Sequence, residues 1–526
     1  MIAEKNIELK KLPNSRDGSG KASVIDLGSN SVKLVNYNID SHNTYKPYHQ
    51  ESIRIKLAEG LVDGVIQQKH IEKTLDSLKL FRSIIDFEQI DYVLAVATSA
   101  VRDAKNKEDF IEQIQKETGF NFKILSEHEE AIYSHAGAIR SLNLPSTVFF
   151  DIGGGSLEIV SSKNFEIQKV ISLPLGSLRL TQKFSNDSEF SEKTLSEIKM
   201  YVQKLLPGRE SLNISDSDSI VLVGVGGTLR AIAKYNQEKT NYPLKKLHNY
   251  LLSLDSLKTT LNDFANKNNE ELSKIESIGS GRSDTIKAGL VVVSELMKKL
   301  DFSSLVVSAQ GLREGTLSLS LQYRQEFSKH EIDISHVEEL IQLSCQPDIL
   351  SEYVEDLVRL LFSMKLISDK ERVLLAQSIS YIDTLSSFRD VDNVLYTILD
   401  NDSILSHREQ LIVALSLIYS KKKKKSESLI TRFEKILGSA DKKTIKKISA
   451  VVSLCDISHK TGTLLTSKSD NPDSILLKVH VSKNHFPEVL LNQACKKLEN
   501  VLGIQVKLAI YYETSEQSKF KPLGIT

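Results

Sequence analysis

The sequence predicts an α/β chain in which two related lobes close on one cleft, followed by a helical region and a small α+β segment. Two strand–glycine–strand segments occur in different parts of the chain, and a third glycine segment leads into a helical pattern. After Phe327, apolar residues recur at helical spacing instead of alternating between strand and helix patterns. The length of 526 residues is ample for several hydrophobic cores.

The most informative segment is FFDIGGGSLEIV at residues 149–160. Its two apolar runs flank a triple glycine and a serine, namely Gly153, Gly154, Gly155 and Ser156. Glycine lets the backbone approach a ligand closely and turn its N–H groups toward an anion. If the runs pair as a hairpin, Asp151 and Glu158 face each other across the turn, where two carboxylates can share a divalent cation.

Two further segments have the same character. Residues 24–35, VIDLGSNSVKLV, place a turn between two strands at Gly28, Ser29, Asn30 and Ser31. Residues 221–228, VLVGVGGT, place an anion-favouring helix N-terminus at Gly226, Gly227 and Thr228. No Walker A motif occurs in the sequence. Two such loops suggest two related domains around one cleft, the arrangement of the actin-like ATPase and sugar kinase (ribonuclease H-like) superfamily.

Shorter motifs make the resemblance specific. Between and after the glycine segments come, in order, TSAVR ending at Arg102, EEA at residues 129–131, RSD at 282–284 and GLREG at 311–315. Together these pieces cover residues 21–320, and the chain resembles the exopolyphosphatase and guanosine pentaphosphate phosphatase (Ppx/GppA) family.

The resemblance implies roles for individual residues. Glu130 would be the catalytic base, Asp151 and Glu158 would help to hold Mg²⁺ or a similar divalent cation, and Arg102 would contact phosphate. The backbone of the three glycine loops would cradle the terminal phosphates. The chemistry agrees, since a carboxylate can deprotonate an attacking water, a divalent cation offsets developing charge, and a guanidinium matches a phosphate edge.

Taken singly, these residues also have plainer interpretations. Residues 127–130 would fit a solvated helix start, and Arg102 a surface ion pair of little energetic value. Ser29 and Ser31 would fit hydroxyls that satisfy the backbone of a turn. Their joint order along the chain favours the functional interpretation.

We expect a division into five parts, which are a flexible tail (1–20), catalytic lobe I (21–143), catalytic lobe II with a helix returning to lobe I (144–324), a helical domain (325–470) and a small α+β domain (471–526). Long members of the family carry an HD-like helical domain. Here it lacks metal ligands, because Asp383 has no preceding histidine and His407 stands alone. Binding or dimerisation is therefore expected of this domain.

Charge is distributed unevenly although the net charge is zero. Residues 421–460 hold twelve Lys/Arg against four Asp/Glu, a net +8, and residues 331–402 hold five against fifteen, a net −10. The run Lys421–Lys425 fits a solvated helix end. The alternative is a basic track that guides a long polyanion toward the cleft.

These observations favour an enzyme that hydrolyses inorganic polyphosphate processively from its end and releases orthophosphate. The alternatives are removal of the 5′-terminal phosphate from guanosine pentaphosphate, a sensor that binds polyphosphate or nucleotide without turnover, and kinase activity. No apolar run approaches the ~18 residues of a membrane span, and three scattered cysteines indicate free thiols. We expect a cytoplasmic protein without membrane or nucleic-acid partners, and the resemblance implies a homodimer.

Overall fold

The computed structural model describes residues 20–40, 43–90, 92–185, 190–215, 219–344, 355–382, 391–400, 404–461, 465–471, 473–481 and 488–512. The predicted tail before Gly20 lies outside these residues, as do Cys345 and Asp383. The chain forms two compact units, residues 1–241 with 247–345 and residues 242–246 with 346–526. The finer division predicted from the sequence stays a prediction.

The first sheet of the N-terminal unit opens with an antiparallel meander and continues with parallel strands. Its order is β3-β2-β1-β6-β7. The strands are β1 (Gly20–Leu27), β2 (Ser31–Ile39), β3 (Tyr45–Arg54), β6 (Tyr92–Ala97) and β7 (Phe122–Ile124). A two-stranded ribbon is formed by β4 (Leu61–Val62) and β5 (Val65–Ile66).

The second sheet repeats this topology and adds one antiparallel edge strand. Its order is β10-β9-β8-β11-β13-β12. The strands are β8 (Thr147–Ile152), β9 (Leu157–Lys163), β10 (Glu166–Leu173), β11 (Val221–Val225), β12 (Tyr250–Ser253) and β13 (Ser304–Val307). Two mixed sheets of one topology form the predicted actin-like ATPase core, and the predicted α/β class is confirmed.

Helices cover the two sheets. They are α1 (Gln68–Phe87), α2 (Ser99–Arg102), α3 (Lys107–Thr118), α4 (Glu127–Leu142), α5 (Ser177–Phe184), α6 (Glu192–Leu205), α7 (Gly227–Lys239), α8 (Leu254–Ala265), α9 (Asn269–Ser273), α10 (Ile286–Lys299), α11 (Leu312–Gln322), α12 (Arg324–Lys329) and α13 (Ile334–Ser344), with a 3₁₀ turn at Glu210–Leu212. Helix α11 contacts the first sheet, where Tyr37 of β2 donates a 2.7 Å hydrogen bond to the carboxylate of Glu314.

Helices α4 and α11 cross at glycines, which lets their backbones touch. A Cβ built on Gly137 would lie 2.1 Å from the carbonyl oxygen of Gly311, and one on Gly315 would lie 1.8 Å from that of Tyr133. Both distances are far below a normal contact, so no side chain larger than hydrogen fits there. The crossing therefore fixes how closely the two helices approach.

The C-terminal unit is mostly helical and ends in a three-stranded sheet of order β14-β15-β16. Its helices are α14 (Glu355–Ser363), α15 (Asp369–Ser380), α16 (Val391–Leu399), α17 (His407–Lys421), α18 (Lys423–Arg432), α19 (Ser439–Thr461) and α20 (Glu488–Leu502), and its strands are β14 (Leu465–Asn471), β15 (Ser474–Val481) and β16 (Gln505–Tyr512). One hydrophobic cluster runs from Leu357 to Ile510 and so joins the helices to the sheet. None of the described helices is long and apolar enough to cross a bilayer.

Replacing either crossing glycine should destabilise the N-terminal unit. We expect Gly137→Ala and Gly315→Ala each to lower the free energy of unfolding by roughly 1–3 kcal/mol, since the added methyl group overlaps backbone that cannot move aside. Chemical denaturation followed by circular dichroism measures this loss. Gly208→Ala is the control, because a Cβ there meets nothing within 4 Å. An equal loss in the control would contradict the interpretation.

Candidate active site

Two hairpin turns of the same construction meet at one cleft. In β1–β2 the N–H of Gly28 donates to the carbonyl of Ser31 at 3.1 Å, and in β8–β9 the N–H of Gly153 donates to that of Ser156 at 3.1 Å. The second hairpin has the predicted register, with Asp151 opposite Glu158. The two turns come close together, since a Cβ on Gly155 would lie 3.4 Å from Ser29 Oγ.

The third glycine segment lies beside these hairpins. Gly226 has φ +115°, a conformation in which glycine is favoured, and a Cβ there would lie 2.4 Å from the carbonyl oxygen of Ile152. Helix α7 starts at the next residue. Every residue predicted to bind substrate lines the same cleft, namely Gly28, Ser29, Asn30, Ser31, Gly153, Gly154, Gly155, Ser156, Gly226, Gly227 and Thr228.

Glu130 lines this cleft from the first turn of α4. Nη1 of Arg102 donates to its carboxylate at 2.9 Å and also to the carbonyl of Leu125 at 2.8 Å. The Glu130 side chain is only 13% exposed. Burial raises the pKa of Glu130 to about 7, against the opposing effect of Arg102. A carboxylate of this pKa exchanges protons near neutral pH.

Glu129, the residue before Glu130, stabilises the start of α4 through contacts that do not involve Arg102. Ser126 and Glu129 form a capping box, in which Ser126 N–H donates to the Glu129 carboxylate at 2.9 Å and Glu129 N–H donates to Ser126 Oγ at 3.1 Å. The ammonium of Lys123 on β7 lies 2.9 Å from the same carboxylate. Adjacent glutamates are thus bound by different cations, and these contacts fix the helix turn that carries Glu130.

The predicted metal ligands lie at different depths. Asp151 lines the cleft and accepts a 2.9 Å hydrogen bond from Ser134 on α4. Glu158 is 1% exposed and lies outside the cleft lining. Burial raises the pKa of Asp151, and burial together with the charges of Glu130 and Asp151 raises the pKa of Glu158 well above its usual range. Carboxylates crowded in this way favour a proton or a cation between them.

Arg102 does not line the cleft, since its guanidinium turns toward Glu130. Its phosphate contact stays a prediction. Positive charge in the cleft comes instead from four side chains to which the sequence assigned no role in the site, namely Lys33, Arg230, Arg282 and Arg313. Burial, followed by the charge of Arg313, lowers the pKa of Arg230 to about 10.

Part of this cationic group was visible in the sequence. Arg282 and Arg313 stand inside motifs that carried the family resemblance. Arg230 follows Gly227 at the spacing of one helix turn, and Lys33 is the cross-strand partner of Asp26. Only the structure shows that they converge, because their elements are far apart along the chain.

The acidic side chains of the cleft suit a divalent cation that takes few protein ligands. Among the described residues, no group of three or more His, Cys, Asp and Glu side chains is arranged to hold a metal ion. Mg²⁺ commonly uses one or two carboxylates and completes its shell with water and substrate phosphate. Asp151, open to the cleft beside the acidic Asp26 and Glu130, fits that pattern.

The fold and the cleft define a class, which is a two-lobed protein of the actin-like ATPase fold with a cleft lined by glycine loops and cations. A model of the Ppx/GppA phosphatase family matches residues 37–324, and the chain belongs to this family. The match ends before residues 346–526, which form most of the C-terminal unit.

Curated relatives carry different names. The bifunctional 3-dehydroquinate synthase/phosphatase of Fusobacterium nucleatum is 28% identical over 58% of this chain. The matched region spans 47% of the length of that protein. Exopolyphosphatase 1 of Mycobacterium tuberculosis is 27% identical over 56% of the chain and 86% of its own length. The guanosine-5′-triphosphate,3′-diphosphate pyrophosphatase of Vibrio vulnificus is 26% identical over 61% of the chain and 63% of its own length.

A solved structure supports the fold. An exopolyphosphatase from Cytophaga hutchinsonii superposes with a TM-score of 0.53 at 24% identity, covering 60% of this chain and 99% of that one.

The buried acid should lower stability at neutral and alkaline pH. The folded state raises the pKa of Glu130, so it favours the protonated carboxyl and loses stability as pH rises from the usual glutamate pKa through about 7. We expect Glu130→Gln, in buffer with a chelator, to raise the melting temperature at about pH 8 and to lose this advantage toward about pH 5. The full difference is roughly 3 kcal/mol.

The exposed Glu127 on the same helix turn provides the control. Glu127→Gln should leave the melting temperature unchanged at both pH values. A gain for Glu130→Gln that is equal at both pH values would show that the carboxylate is not held in an unfavourable environment.

Proposed function

We propose that this phosphatase is an exopolyphosphatase, which hydrolyses the terminal phosphoanhydride of inorganic polyphosphate in a metal-dependent, processive reaction and releases orthophosphate. One observation carries the proposal: the buried Glu130 carboxylate, held by Arg102, opens into the cleft that all three glycine loops line. A base and an anion-binding backbone thus share one enclosed space.

The chain's own residues supply binding and proton transfer. Backbone N–H groups of the glycine loops, with the hydroxyls of Ser29, Ser156 and Thr228, bind the terminal phosphates. The cations that line the cleft offset their charge. Glu130 accepts the proton of the attacking water, and Arg102 keeps the carboxylate oriented and its pKa near operating pH.

A divalent cation, Mg²⁺ or a similar ion, would be held by Asp151, with Glu158 behind it. When bound, it would neutralise negative charge on the phosphoryl oxygens. The raised pKa values of both carboxylates fit this role. Burial makes their negative charges unfavourable, and a bound cation would neutralise those charges.

The cleft lining favours polyphosphate over a nucleotide. Among the described residues that line it, none is aromatic, whereas glycines, hydroxyls and cations dominate. Such a surface recognises phosphates but offers no ring on which a base could stack. Guanosine pentaphosphate hydrolysis is the second candidate, since the guanosine-5′-triphosphate,3′-diphosphate pyrophosphatase of Vibrio vulnificus is 26% identical to this chain over the matched region.

The basic stretch 421–460 gives weaker support. Several of its lysines are engaged in ion pairs within the C-terminal unit, such as Lys425 with Asp392 at 3.2 Å and Lys447 with Glu371 at 2.8 Å. Others, including Lys423 and Lys424, are exposed. A guiding track for long chains, a homodimer and a cytoplasmic location stay predictions.

Orthophosphate release with Mg²⁺ tests the proposal. We expect faster turnover of long-chain polyphosphate than of guanosine pentaphosphate, and a loss of about 10²–10⁴-fold in kcat for Glu130→Gln, since a positioned base contributes that much. Glu127→Gln, at an exposed position three residues earlier on the same helix, should retain full activity. Preference for the nucleotide would reassign the substrate, and no release from either would favour a sensor.

The pH profile tests the role of Arg102. Because Glu130 must be ionised to act as a base, kcat/KM should rise with pH through about 7. Arg102 lowers the pKa of Glu130, so Arg102→Met should move this rise to higher pH, and Arg102→Lys should move it less. A rise at the same pH in Arg102→Met would exclude the positioning role.

A further inference from the structure

A second cavity, of about 310 Å³, lies in the C-terminal unit where α17, α19 and α20 meet. This volume is at the lower end of the range of small-molecule sites. Its lining includes three lysines, Lys421, Lys460 and Lys497, and one acid, Asp456. It is formed entirely by residues of the C-terminal unit and shares none with the cleft of the N-terminal unit.

The cavity carries excess positive charge. Asp456 is 5% exposed and binds two ammonium groups, those of Lys421 and Lys460, the latter at 3.0 Å. Burial and the neighbouring Lys460 lower the pKa of Lys421. Burial also acts to lower the pKa of Lys460, but the hydrogen bond to Asp456 outweighs it and raises that pKa. The single carboxylate of Asp456 therefore balances only one of the two positive charges of Lys421 and Lys460.

Lys497 adds a charge that no described residue balances. Its ammonium has no hydrogen bond or ion pair among the residues that the structure describes, although it lines the cavity. Lys421 and Lys460 lie in the last turns of α17 and α19, where the helix dipole favours cations. Lys497 lies before the last turn of α20 and is exposed, so its charge meets neither a helix dipole nor an ion pair and is available to an anion in the cavity.

The rest of the lining consists of three hydroxyls, one amide and an apolar wall. The hydroxyls of Ser420, Ser453 and Thr461 donate to carbonyls of their own helices, whereas the amide of Gln493 can donate to an anion beside the lysines. Ile457, Leu490 and Ala494 provide apolar surface, and Leu490 is 52% exposed, which is high for leucine. A ligand with a phosphate at one end and an apolar ring at the other would satisfy both parts.

We propose that this cavity binds a small phosphorylated molecule of the size of a nucleoside diphosphate, with its phosphates on the three lysines and its ring on Ile457 and Leu490. The proposal is independent of which substrate the cleft hydrolyses. It gives the C-terminal unit a ligand-binding role that does not require metal ligands.

Hydrogen exchange on the full-length chain tests this proposal, because it locates binding separately from the cleft. ADP and inorganic pyrophosphate serve as probes. We expect both to protect amides of residues 453–461 and 490–498, and ADP to do so at lower concentration because only it reaches the apolar wall. Pyrophosphate acting as well as ADP would contradict the role of that wall.

The decisive variant is Lys497→Gln, which removes a cation without breaking an ion pair. It should raise the ADP concentration needed for protection by about tenfold, since a hydrogen bond from a charged donor contributes on that order. Lys497→Arg should restore binding, and Lys424→Gln, an exposed lysine outside the cavity, should leave it unchanged.

Orthophosphate release should be unaltered in Lys497→Gln, so a failure here is separable from a failure of the proposed activity. Equal protection of Lys497→Gln and the unaltered chain, or no protection at millimolar ADP, would overturn the proposal.

Discussion

The geometry of the cleft depends on the glycine crossing of α4 and α11. Helix α4 begins with the turn that carries Glu130, and α11 begins with the turn that carries Arg313, which lines the same cleft. Since the two helices touch backbone to backbone, the distance between their N-terminal ends is set by a contact with no adjustable side chain. A larger residue at either glycine would move the base relative to the cations.

That rigid frame holds an arrangement that is electrostatically unfavourable. Asp151, Glu158 and Glu130 are buried near one another, and each has a raised pKa. Four cations line the same cleft without pairing off all of these acids. Folding energy from the sheets and helices must offset this cost, and the result is a site whose carboxyl groups favour a proton or a cation between them.

Much of the fold followed from local patterns. The two hairpins, the register of Asp151 against Glu158 and the helix after Gly226 all agree with the sequence, because glycine spacing and apolar alternation act over short distances. Strand β14 was not foreseen, since its residues LTSKSDN are polar. A sheet edge of this kind depends on its neighbour rather than on its own hydrophobicity.

The sequence predicted the glycine loops that line the cleft, and it missed part of the positive charge of the cleft. Glycine loops can be recognised from the sequence alone. That Lys33 and Arg230 line the same cleft depends on the order of the strands in the two sheets. The orientation of Arg102 toward Glu130 likewise depends on a tertiary contact between α2 and α4. Both are decided by packing at long range, which a single sequence does not encode in any local motif.

The repeated sheets carry unlike pairs at the same position. In the first hairpin Asp26 faces Lys33, with a 3.6 Å ion pair, and in the second Asp151 faces Glu158. One half of a near-symmetric scaffold is thus neutral where the other is doubly acidic. This difference makes the two sides of the cleft unlike, because Asp26 lies in an ion pair whereas Asp151 lies in front of a second, buried acid. A duplicated fold can in this way place different charges at equivalent positions of its two halves.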